Sequence, residues 1–289
     1  MKAKSLLSML GLLILVVLFS CKKDKDDDPA VAATSLYFID SSDELIQKLA
    51  LDGTGTLTTV KDIAEMSGVG LAYDAVNNKI FFSDFYDADT PDGKIWKMNL
   101  DGTAAQALVS GLYDPYGIAL DVAGGKVYWV DDEGKVSRSN LDGTSPELGF
   151  ITITDGWLRA ICLDKANNKL YFYDVNEEVL YSAKLDGTAV TKLIEGVYGY
   201  AIKIDTQNSK IYFDDQNTPG LLRANMDGTG IEEIDNTDTR IYGIEIDYVT
   251  DKLYWSARDM GEIYKSNLNG TEKETLKTGL TSPRGIFIK

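Results

Sequence analysis

Leu51-Asp52-Gly53-Thr54 returns as Leu100-Asp101-Gly102-Thr103, Leu141-Asp142-Gly143-Thr144, Leu185-Asp186-Gly187-Thr188, Met226-Asp227-Gly228-Thr229 and Leu268-Asn269-Gly270-Thr271. Successive copies start 49, 41, 44, 41 and 42 residues apart. A period of this length is that of a four-stranded sheet repeated around a β-propeller. Asp or Asn before Gly favours a tight turn, so the phrase itself marks a turn and its five aspartates and one asparagine are not read as metal ligands. They recur once per repeat and therefore do not converge.

Each copy is accompanied by an aromatic stretch: Tyr37-Phe38-Ile39-Asp40, Phe81-Phe82-Ser83-Asp84, Tyr128-Trp129-Val130-Asp131, Tyr171-Phe172-Tyr173-Asp174, Tyr212-Phe213-Asp214-Asp215 and Tyr254-Trp255-Ser256-Ala257. A third element precedes it, typified by Gly117-Ile118-Ala119-Leu120-Asp121. These short apolar runs, parted by turn pairs such as Asn77-Asn78, Gly124-Gly125 and Asn167-Asn168, read as strands, and an all-β chain is predicted.

Together, Gly-Ile-Ala-x-Asp, Tyr-Trp-x-Asp and Leu-Asp-Gly-Thr resemble the YWTD repeat of the low-density lipoprotein receptor family over residues 36–289. The resemblance implies a six-bladed β-propeller with the first motif on each innermost strand, the second on the next, and the third at the turn between strands three and four. It also implies that the aspartates closing the aromatic motif accept backbone N–H groups between blades. The chain departs from the pattern in having Ile39, Ser83, Val130, Tyr173, Asp214 and Ser256 in place of the threonine, and Ala257 in place of the last aspartate. The repeat region opens on a second strand, Leu36 to Asp40, and ends on an innermost strand, Gly285 to Lys289. The first and last strands are therefore predicted to share one blade and close the ring, leaving no free edge there.

Ahead of the repeats, Lys2 and Lys4 followed by the apolar run Leu6 to Phe19 form a leader too short to span a bilayer comfortably. It ends in Leu18-Phe19-Ser20-Cys21, which resembles the lipobox of bacterial lipoproteins and implies cleavage after residue 20 and lipidation of Cys21. Residues 21–35 carry Lys22-Lys23-Asp24-Lys25-Asp26-Asp27-Asp28, with nothing to bury, and are expected to be a flexible acidic tether. An acidic stretch behind the lipidated cysteine resembles the signal that sends lipoproteins of Bacteroidetes to the cell surface. The expected location is thus the bacterial outer membrane or cell surface, with Cys21 as anchor.

The chain of 289 residues has a net charge of −16, and loss of residues 1–20 removes two lysines and no acid, giving −18. Such a surface repels nucleic acid. The only cysteine besides Cys21 is Cys162, so no disulfide within the mature chain is expected, and a packed core must supply stability. A monomer is expected.

The chain has no histidine, which excludes Ser-His-Asp and Cys-His catalysis and His-ligated metals. A metal-dependent sugar-acid lactonase or hydrolase resembling the six-bladed gluconolactonases is the enzymatic alternative; acids such as Glu245 or Asp114 would then contribute metal or proton chemistry. No catalytic residue and no metal ligand is otherwise assigned. The inserted loop Phe85 to Gly93, where Asp84 to Leu100 spans 16 positions against 10 or 11 elsewhere, offers Asp87, Asp89 and Asp92 to a calcium ion, the one cofactor considered.

Function is sought where the repeats differ. The residues just before the innermost strands are Val69, Tyr116, Arg159, Tyr200, Tyr242 and Arg284, and two places earlier stand Asp114, Trp157, Tyr198 and Arg240. Of the six arginines, Arg159, Arg240, Arg258 and Arg284 map to this one face. Tyr116, Trp157, Arg159, Tyr198, Tyr200, Arg240, Tyr242, Arg258 and Arg284 are therefore the candidate ligand-binding residues, for a protein, peptide or glycan ligand gripped by guanidinium groups and rigid aromatic area. The plain alternative pairs each arginine with a nearby acid such as Asp114 or Asp155. Lys203 and Glu245, at equivalent innermost positions, are expected to form an ion pair inside the channel, with Cys162 packed beside them.

Overall fold

The computed structural model describes residues 34–64, 66–85, 90–218, 220–237 and 240–289. The leader, Cys21 and all but the last two residues of the tether lie outside these, as do Asp87 and Asp89 of the inserted loop. Among the described residues every regular element is a strand, and the strands form six antiparallel four-stranded sheets. The innermost strands are Pro283–Ile288, Leu71–Asp74, Pro115–Asp121, Leu158–Asp164, Ile202–Asp205 and Ile241–Asp247, for blades one to six. Each pairs with a strand carrying the aromatic motif: Ser35–Asp40, Lys79–Asp84, Lys126–Asp131, Lys169–Asp174, Lys210–Asp215 and Lys252–Ala257.

Closure follows the expected path. Pro283–Ile288 pairs with Ser35–Asp40, matching Leu36 to Ile288, Tyr37 to Phe287 and Phe38 to Ile286. The N–H groups of Thr34 and Ser35 donate to the Lys289 carbonyl at 2.8 and 2.9 Å, so the strand begins one residue before Leu36. Gly285 N–H donates to the Val69 carbonyl at 3.1 Å and ties blade one to blade two.

The core consists of apolar clusters between adjacent blades, because each sheet is buried on both faces. Leu36 and Phe38 pack with Tyr254 and Ile263 between blades one and six. Phe81 and Ile95 pack with Ile118 and Trp129 between blades two and three. A fully buried side chain of this size contributes roughly 1.5–3 kcal/mol through apolar area removed from water.

The Leu-Asp-Gly-Thr phrase forms the turn between strands three and four in every blade. Asp52, Asp101, Asp142, Asp186 and Asp227 each accept the N–H and hydroxyl of the threonine two residues on, as Asn269 does. The glycines sit at φ between 81° and 88°, a region that costs any Cβ-bearing residue.

The aspartates of the aromatic motif do not bridge blades as the resemblance implied. They bind within their own blade: Asp40 takes the N–H groups of Thr281 and Ser282, Asp174 that of Trp157, and Asp215 that of Tyr198. The bridges are made one position earlier, where the motif's threonine is missing. Ser83 donates its hydroxyl to the Tyr116 carbonyl of blade three. Tyr173 donates to the Asp214 carbonyl of blade five at 2.9 Å. A strand's terminal carboxylate is at the right height to cap the segment that enters the same sheet, whereas the preceding side chains of Ser83 and Tyr173 reach the next blade.

Candidate functional site

Four of the six ring residues lie inside strands and not ahead of them. In these blades the innermost strand bulges: Tyr116-Gly117 face Val130, Arg159-Ala160 face Tyr173, Tyr242-Gly243 face Ser256, and Arg284-Gly285 face Ile39. A bulge re-aims the side chain it carries, and here it places Tyr116, Arg159, Tyr242 and Arg284 around one rim of the central channel. In blades two and five the strands start later, at Leu71 and Ile202, with Val69 and Tyr200 before them. The glycine after the rim residue serves close approach. A Cβ on Gly117 would lie 2.9 Å from the Arg159 carbonyl, and one on Gly243 2.8 Å from that of Arg284.

The rim residues touch in sequence. The Arg159 guanidinium lies 4.0 Å from the Tyr116 ring centre, and its Nη2 is 3.3 Å from Asp132 Oδ2. The hydroxyls of Tyr198 and Tyr200 are 2.8 Å apart, and the Tyr200 ring stacks on that of Tyr242 at 4.6 Å. Arg284 and Arg258 stand 5.0 and 5.8 Å from the Tyr242 ring. Arg240 grips Asp259 through Nε (2.9 Å to Oδ2) and Nη2 (2.6 Å to Oδ1), while Arg258 Nη1 reaches the same carboxylate at 3.0 Å. Trp157 stands apart: its N–H is held by Asp174 and its side chain is 52% exposed.

The pairing of arginines with acids therefore holds for Arg159, Arg240 and Arg258, but the partners are Asp132 and Asp259 and not Asp114 or Asp155. Asp259 also accepts the Arg240 N–H at 3.1 Å. That is the bond Asp174 and Asp215 make to Trp157 and Tyr198, so Asp259 takes over the cap lost where the sixth motif has Ala257. The signal was present two residues downstream of the gap. Phe85, the first residue of the inserted loop, lies 5.3 Å from the Tyr116 ring, on the face to which that loop is expected to project.

Electrostatics follow from these contacts. The Arg240 guanidinium holds the Asp259 carboxyl below its usual range. Burial pushes the Tyr242 phenol up against the pull of Arg284, Arg258, Arg240 and Arg159, so it stays neutral beside four cations. Burial pulls the Arg284 guanidinium down, with Arg258 and Arg240 adding to that and Tyr242 and Tyr116 opposing it.

Below the rim the innermost strands line a cavity of about 500 Å³, with Arg159, Tyr200 and Tyr242 at its lip. Inside it Lys203 Nζ is 2.5 Å from Glu245 Oε1, as expected for the paired channel charges. Burial lowers the Lys203 ammonium, and the Glu245 carboxylate outweighs this and leaves it raised. Cys162 lines the same wall with its thiol pushed up by burial, the state of an inert packed side chain. Among the described residues no three Asp, Glu or Cys side chains converge as metal donors.

No protein-family model matches the chain. Low-density lipoprotein receptor-related protein 5 of Mus musculus is 40% identical over 75 residues, which are 26% of this chain and only 5% of that receptor. Among solved structures, a chain of the crystal structure of the nidogen/laminin complex superposes with a TM-score of 0.76 at 20% identity, over 88% of this chain and 97% of that one. The streptogramin B lyase structure superposes at 0.65 and 15% identity, over 90% and 89%. At such identities these structures establish the fold alone. Low-density lipoprotein receptor-related proteins are thus homologues of this chain, and its architecture is a six-bladed β-propeller.

Proposed function

We propose that the propeller is a binding module that takes a protein or peptide segment on its arginine- and tyrosine-rich rim. The observation that carries this reading is the gathering of four arginines at one channel mouth, with Arg284 and Arg258 5.0 and 5.8 Å from the Tyr242 ring, Arg240 sharing Asp259 with Arg258, and Arg159 on the Tyr116 ring, in a chain of net charge −16. Concentrating four of the six arginines at one channel mouth gives an acidic chain a place to receive a negative partner. A peptide fits the rim better than a glycan. Sugar recognition uses free aromatic faces, whereas at the lip Tyr200 and Tyr242 cover one another and Arg159 covers Tyr116, and the exposed Trp157 stands apart from them. Homology to receptors points the same way. The lipobox-like Leu18 to Cys21 supports a module tethered to a bacterial envelope through lipidated Cys21.

The test is a peptide and glycan array probed with the full chain in detergent. Peptide binding that disappears in an Arg159→Ala, Arg284→Ala double variant is the expected result. Unchanged binding by that variant would remove the rim from the reading, and selective glycan binding would replace the partner class. Incorporation of an acyl label that is lost in Cys21→Ala checks the anchor.

A further inference from the structure

The four rim arginines are not equivalent. Arg159 is held by Asp132, and Arg240 and Arg258 share Asp259. Arg284 is different: among the described residues no carboxylate pairs with it, and its Nε is fully buried with no acceptor. Its surroundings are the Tyr242 ring at 5.0 Å and, through space, Arg258, Arg240 and Tyr116. A guanidinium partly withdrawn from water beside two other cations is in an unfavourable place unless an anion meets it. The bulge on Arg284-Gly285 aims the side chain at the rim, and the Gly285 backbone is pinned to Val69. The group is thus pre-positioned and its strongest interactions are unused.

We infer that Arg284 is the anchor for a single carboxylate, the side chain of an Asp or Glu on the bound peptide, held between the Tyr242 ring and the rim arginines. This rests on the peptide-binding reading and narrows it. The other three arginines already engage Asp132 and Asp259, so the least committed cationic fork of the rim is that of Arg284. A carboxylate matches that fork in two parallel hydrogen bonds. A polyanion such as heparin needs several open cations at once and is discriminated against by the −16 charge of the rest of the chain.

The experiment uses two decapeptide libraries with random flanks, one with a central Asp and one with a central Asn. Each is titrated by fluorescence anisotropy into the detergent-solubilised full chain at fixed ionic strength, with heparin as a third probe. The Asp library should bind about tenfold tighter or more than the Asn library, as expected for a buried charged pair. In Arg284→Gln the preference should vanish, and in Arg284→Lys part of it should return, since the charge remains but the fork is lost. Melting curves of both variants verify the fold; Arg284→Lys carries the test if Arg284→Gln does not fold. Equal binding of the two libraries overturns the anchor and leaves the peptide-binding reading standing. A preference that survives in Arg284→Gln, or heparin binding tighter than the Asp library, also overturns it. No binding by either library overturns both.

Discussion

The outer turns and the channel rim are built from the same repeat and treat it in opposite ways. At the turns, six blades place Asp or Asn, Gly and Thr in one geometry with one set of bonds. At the rim, six equivalent positions hold Val69, Tyr116, Arg159, Tyr200, Tyr242 and Arg284. The turn closes its own bonds within four residues, and in five of the six blades its glycine also abuts the outer strand of the neighbouring blade, so nothing rewards variation there. The rim is where the blades meet, and its side chains contact those of neighbouring blades. Repetition marks scaffold, and departure from it marks the surface that deals with the outside.

The largest blow to this contrast is to remove the strand that serves both regions. Deletion of Pro283 to Lys289 takes away the innermost strand of blade one together with Arg284, and the ring should no longer close. Loss of a single cooperative melt by calorimetry is the expected outcome, and a truncated chain melting at the full-length temperature would refute closure by this strand.

Trp129→Ala attacks the scaffold without touching the rim. Trp129 is fully buried between blades two and three, so a loss of about 3–5 kcal/mol in denaturant unfolding is expected. Peptide binding at temperatures where the variant remains folded should be unchanged.

A smaller effect separates the regions by pH. Asp214 accepts the N–H groups of Tyr200 and Ala201 at 2.6 and 2.8 Å, and burial outweighs these bonds to push its carboxyl up to about 7. Burial does the same to Asp131. A folded-state value above the unfolded one means that the contribution is fully present below about pH 4 and is lost as pH rises through about 7. Stability should therefore fall between these limits, by on the order of 2–4 kcal/mol for each group. Asp214→Asn keeps an acceptor and carries no charge, so it should flatten much of this slope, being more stable than wild type at pH 8. An unaltered slope in Asp214→Asn would remove Asp214 from the account and leave the pH dependence to Asp131 and net charge.

The smallest change sharpens the account of the turns. Gly53 has φ of 88° and open space where a Cβ would stand. Gly53→Ala should cost only the backbone strain, about 1 kcal/mol, and leave binding intact. A cost several times larger would mean that the turn does more than reverse the chain.

The fold could be read because its determinants are local and repeated: turn phrase, aromatic strand and period each appear six times. Even closure was legible, since the order of motifs says which strand is left over. The rim was legible in residue type and incompletely in connection. That Arg159 and Arg240 belong to one face follows from topology, but that Asp132 and Asp259 neutralise them depends on which loops come together. The bulges were also hidden, because a two-against-one pairing leaves no mark in a pattern read strand by strand. Ser83 and Tyr173 looked like losses of a conventional threonine, yet each reaches the neighbouring blade.

The contact between Thr34 and Lys289 has a consequence for design. With the two backbones already at hydrogen-bond distance, a linker of a few residues would join them into an uninterrupted circle. Fresh termini could then be cut at an exposed turn such as Asp142-Gly143, on the side of the blade remote from the rim. Such a circular permutant would keep every rim residue while moving the chain ends to another blade.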